Sequence, residues 1–87
     1  MTNRQEAVAE ALKCCDEIDN AYRHLQAGDQ ASARTLCLNN FPILAGLHIS
    51  ATVLVSLAYF KLMRRFDELG MPEQAKSCGN RTINTVL

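Results

Sequence analysis

The chain has 87 residues, 48% of them hydrophobic, and its nine basic side chains are balanced by nine acidic ones. That length allows one domain, residues 1–87, whose core hides about two-thirds of the surface of the unfolded chain, and the composition excludes a disordered polypeptide. With no basic excess, no Trp and few other aromatic residues, there is little electrostatic hold on nucleic acid or anionic lipid, and no platform on which bases would stack.

Residues 3–27 predict one long helix. Val8, Ala11, Cys15, Ile18, Tyr22 and Leu25 recur at alternating steps of three and four, the narrow stripe of a helix packed along a seam. Ala7, Leu12, Cys14 and Ala21 widen the stripe, while Arg4, Glu6, Glu10, Lys13, Glu17 and Arg23 lie mostly elsewhere. The opening MTNRQEAVAEALK has no continuous apolar core, so it reads as neither a signal nor a transit peptide. Gly28 supplies a left-handed stop, and Asp29 caps the next segment. A second, short helix is expected over 31–38, where Ala31 and Ala33 permit close approach and Leu36 and Cys37 pack. Asn39 and Asn40 are expected to break it, and Pro42 to open a further short piece over 42–47 that ends near Gly46.

The stretch FPILAGLHISATVLVSLAYF, residues 41–60, contains no formally charged side chain. A run of this length meets the usual test for a membrane span. Pro42, Gly46, His48, Ser50, Thr52 and Ser56 interrupt it, however, and each is costly or merely tolerated in hydrocarbon. The favoured reading is the central helix of a small helical bundle, apolar all round, capped by Ser50 and running to about Leu69. Gly70 stops it, and Pro72 with Glu73 opens a last helix to about Thr85. Gly79 inside that helix marks either close packing or an early break. The apolar end of the chain would fray unless covered.

No catalytic constellation stands out. Cys14, Cys15, Cys37 and Cys78 have no zinc-site spacing and read as small apolar packers in a reducing cytoplasm. His24 and His48 lack a nucleophile or ligand partner, and Ser50, Ser56 and Ser77 lack an elbow context. Asp16, Glu17 and Asp19 read as a solvated face. Neither cofactor nor metal is expected, and the chain reads as no enzyme. From Ala75 through Gly79 the tail has something of a helix-turn-helix rhythm. Asn80 stands where that turn wants an apolar residue, and Arg81 is the sole basic contact there.

The chain punctuates itself twice alike. The segment AYRHLQAGDQASARTLC, residues 21–37, and KLMRRFDELGMPEQAKSC, residues 61–78, each carry a helix, a Gly stop, a small Ala five residues later and then a Cys. Helical hairpins closed on Gly over a small Ala are the unit of helix-pair solenoids. LQAGDQASA and ELGMPEQAKS resemble the turn of tetratricopeptide repeats. Ala33 and Ala75 lie 42 residues apart, which implies an insertion relative to the usual period of about 34. In the second unit Tyr59, Leu62, Met63, Phe66 and Ala75 fit the packing positions of the repeat. In the first, Glu17, Asn20, Ala21, His24 and Ala33 fit them poorly, and the stripe Cys15, Ile18, Tyr22 and Leu25 falls on positions that line a concave face.

Small neutral chains of this layout resemble the chaperones of bacterial type III secretion needle subunits (the YscG type). The likeness rests on overall size, the GDxAxA turn of residues 28–33 and the GxxxQA turn of residues 70–75. It implies an all-α fold of four to five helices in tetratricopeptide-like hairpins, and a cytoplasmic bacterial protein linked to virulence. Its groove would cradle the amphipathic helix of a self-polymerising needle subunit, with a second small co-chaperone in the complex. Groove candidates are Cys15, Ile18, Tyr22 and Leu25 on the first helix with Leu57, Phe60 and Arg64 on the central one. Whether the first-helix stripe faces a partner or the internal core stays open, and self-association is compatible with either. The alternatives are a helix-turn-helix regulator and a small single-span membrane protein.

Overall fold

A computed structural model describes residues 4–47 and 53–86, with side chains described over 5–47 and 53–81. Four helices follow one another: α1 (Arg4–Gln26), α2 (Gln30–Ala45), α3 (Val53–Glu68) and α4 (Pro72–Val86). No strand occurs among the described residues. The all-α expectation therefore holds, at the lower helix count. Ser50 and His48 lie outside the described residues, as do the side chains beyond Arg81.

The two tight turns are the same backbone device. Gly28 (φ +84°) and Gly70 (φ +72°) take the left-handed conformation that a Cβ would strain. After each Gly the next amide reaches back over the helix end. The Asp29 N–H donates to the His24 carbonyl at 2.8 Å, and the Met71 N–H donates to the Phe66 carbonyl at 2.9 Å. Asp29 then caps α2 by accepting the Ser32 N–H at 3.1 Å, while Pro72 opens α4 where its missing N–H costs nothing.

The expected break at Asn39 and Asn40 does not occur. α2 is one helix to Ala45 with Pro42 inside it. Asn40 is buried, and its Nδ2 donates to the Leu36 carbonyl one turn back and to Glu17 Oε2 of α1 at 2.6 Å. An amide committed to a neighbouring helix no longer competes for local backbone groups, which is why asparagine usually breaks helices. Pro42 removes one backbone donor and crowds the carbonyl four residues earlier, but Leu38 and Pro42 are both exposed, so water can serve that carbonyl. The expected end near Gly46 is correct: its N–H donates to the Pro42 and Ile43 carbonyls.

α1 packs on α2 and α3 on α4, and α3 also lies against both α1 and α2. The helix touched by all three others is thus the one that begins inside the long uncharged run. That run is divided between the end of α2 and the start of α3. Among the described residues no helix is long and apolar enough to cross a membrane. The core centres on Ile18, Cys37, Leu44, Leu62, Phe66 and Cys78. Phe41 meets Tyr59 edge-on at 6.4 Å and Phe66 at 6.1 Å between ring centroids. α4 runs unbroken through Gly79 and Asn80, where a helix-turn-helix would place its turn. A Cβ on Gly79 would stand 3.2 Å from Met63 Sδ, so this glycine marks close packing of α4 on α3.

Candidate protein-binding site

Burial lays the two hairpins over each other. Cys14, Ile18, Ala21 and Leu25 of α1 correspond to Val55, Tyr59, Leu62 and Phe66 of α3, every one in the core or packed against it. The same correspondence takes Asp19 to Phe60 and Tyr22 to Met63. It differs by one residue from the register counted through the turns and through Ala33 and Ala75. That offset explains why Glu17, Asn20 and His24 fit the repeat poorly: the first helix meets its turn one residue sooner after the last core position.

On the first hairpin, two side chains of α3 touch this face while Asp19 and Tyr22 stay exposed. Lys61 Nζ donates to Asp19 Oδ1 at 3.0 Å, and the Arg65 guanidinium lies 4.3 Å above the Tyr22 ring. Arg65 Nε also pairs with Glu68 one turn on. On the second hairpin the equivalent residues line an open groove. Phe60 and Met63 of α3 form one wall, Pro72, Ala75 and Gly79 of α4 the other, and the groove encloses about 530 Å³. Its rims carry Asp67 from α3 and Lys76 from α4, both exposed.

The seven expected groove residues divide accordingly. Ile18 is fully buried and Cys15 is 7% exposed, so the core takes both and neither offers free surface. Leu25 is half-buried against that core. Tyr22 keeps 38% of its surface but lies beneath Arg65. Leu57, Phe60 and Arg64 do come together as an exposed strip along α3, Leu57 and Phe60 each keeping nearly half of their surface. The open question over the first-helix stripe is thereby decided for internal packing at Cys15 and Ile18. Asp16, Arg23 and Leu12 are exposed on α1 as well.

Sequence reasoning missed Val53, Met63 and the α4 wall as parts of this surface. Val53 is 85% exposed and precedes Leu57 and Phe60 by four and seven residues, a helical spacing visible beforehand. The mid-helix glycine at position 79 was the only mark of the α4 wall, because the absence of a side chain there is what deepens the groove.

The remaining chemistry is quiet. Burial pushes the Cys37 thiol up to about 11 and Cys78 to about 12, and burial with Glu17 and Glu10 nearby pushes Cys14 up to about 11. Such thiols are poor nucleophiles at neutral pH. Among the described residues no group of three or more His, Cys, Asp or Glu side chains converges as a metal site. A second cleft of about 350 Å³ lies between α2 and α4 over Phe41 and Phe66, rimmed by Glu73, Gln74 and Ser77. Arg81 reaches across from α4 to lie 5.6 Å above the Phe41 ring. Comparison with protein-family models, with curated proteins and with solved structures returned no match.

Proposed function

We propose that this chain is a non-enzymatic adaptor or chaperone that shelters an amphipathic helix of another protein on the α3–α4 hairpin. One observation carries the reading. At the positions where α1 carries Asp19 and Tyr22, touched by Lys61 and Arg65 of α3, the second hairpin carries apolar Phe60 and Met63, which line a groove of about 530 Å³. Phe60 lines the groove, and Val53 and Leu57 stand exposed at helical spacing from it on α3, an apolar surface of the kind that marks binding sites. A helix laid there would bury several apolar side chains, each contributing about 1.5–3 kcal/mol before ordering costs are deducted.

The likeness of both turns to those of needle-subunit chaperones makes a needle-subunit-like helix the candidate ligand. It also suggests a second small co-chaperone as a further partner, and the bacterial cytoplasm as the place of action. Asp67 and Lys76 on opposite rims would favour a ligand helix with basic residues along one edge and acidic residues along the other.

The test is a fluorescence anisotropy titration of a labelled amphipathic helical peptide of needle-subunit type. Saturable binding is expected, lost in Phe60→Asp and in Leu57→Asp, and reduced much less in Tyr22→Asp because Arg65 already covers that ring. Equal affinity across the wild type, Phe60→Asp and Leu57→Asp would remove the groove from the reading.

A further inference from the structure

We draw no further inference here: the strongest candidate, the cleft between α2 and α4 over Phe41 and Phe66, has a fully buried Phe66 beneath it, Arg81 already lying over the Phe41 ring and Glu73 as the sole charged residue of its lining, so nothing in the structure shows what would fill it.

Discussion

The two hairpins share a turn and differ in what lies over them. Both close on a left-handed glycine followed by an amide that reaches back over the helix end. On the first, α3 reaches exposed Asp19 and Tyr22 with an ion pair and a cation–π contact. On the second, the same positions are a phenylalanine and a methionine facing a groove. The contrast shows that repeated turn chemistry does not oblige two hairpins to do the same work. The first carries an ion pair and a cation–π contact to α3, and the second carries an apolar groove.

The contrast can be broken first at its largest element. Phe66 is fully buried where both hairpins meet, and Phe60 stands two turns earlier on the open face. Phe66→Ala is expected to cost about 3–5 kcal/mol of stability, whereas Phe60→Ala at its half-exposed site should cost under about 1 kcal/mol. Urea unfolding of the two variants measures both losses. Similar losses would mean that Phe60 belongs to the core and that the second hairpin is not open.

Next comes the polar tie that belongs to the first hairpin alone. Asn40→Ala leaves the Leu36 carbonyl and the Glu17 carboxylate without the amide they share, at an expected cost of about 1–3 kcal/mol. A cycle with Glu17→Ala should show the two losses to be non-additive, since the groups are in direct contact.

Gly79→Ala sharpens the other side of the comparison. Alanine in mid-helix gains about 0.5–1 kcal/mol over glycine. The new Cβ would press on Met63 Sδ at 3.2 Å, and that thioether can swing into the open groove. A slight net stabilisation by thermal melting is expected. A loss of stability would show that Met63 is held in place and that the groove is closely packed.

Lys61→Ala removes the exposed pair to Asp19 and should cost no more than about 0.5 kcal/mol, less at high salt. The smallest effect is a pH dependence at the first turn. The Ser32 hydroxyl and N–H beside Asp29 hold its carboxyl below the ordinary carboxylate value. Its folded form therefore binds a proton less readily than the unfolded chain does. The stability it contributes is full at neutral pH and is lost as pH falls through the carboxylate range. Asp29→Asn keeps a capping side chain, so it should match the wild type at pH 7 and lose less stability on acidification, as read from urea midpoints at the two pH values.

Local chemistry was legible in the residues alone. The long first helix, both glycine stops, the Asp29 cap, the Pro72 start and the all-helical class follow from periodicity and backbone preference, which act within a few residues. The failures were non-local. Asn39 and Asn40 read as a break because nothing nearby reveals that Glu17 of another helix would take the Asn40 amide. The hairpin register read one residue off because the turns are visible in a string of letters and the rotation of a helix about its own axis is not. The first-helix stripe, equally suited to a partner or to a core, went to the core at Cys15 and Ile18. A helix of given pattern has an apolar face whatever its surroundings, and only the arrangement of the other helices decides which faces are covered. Here that arrangement buries Cys15 and Ile18 and leaves Leu57 and Phe60 of α3 nearly half exposed.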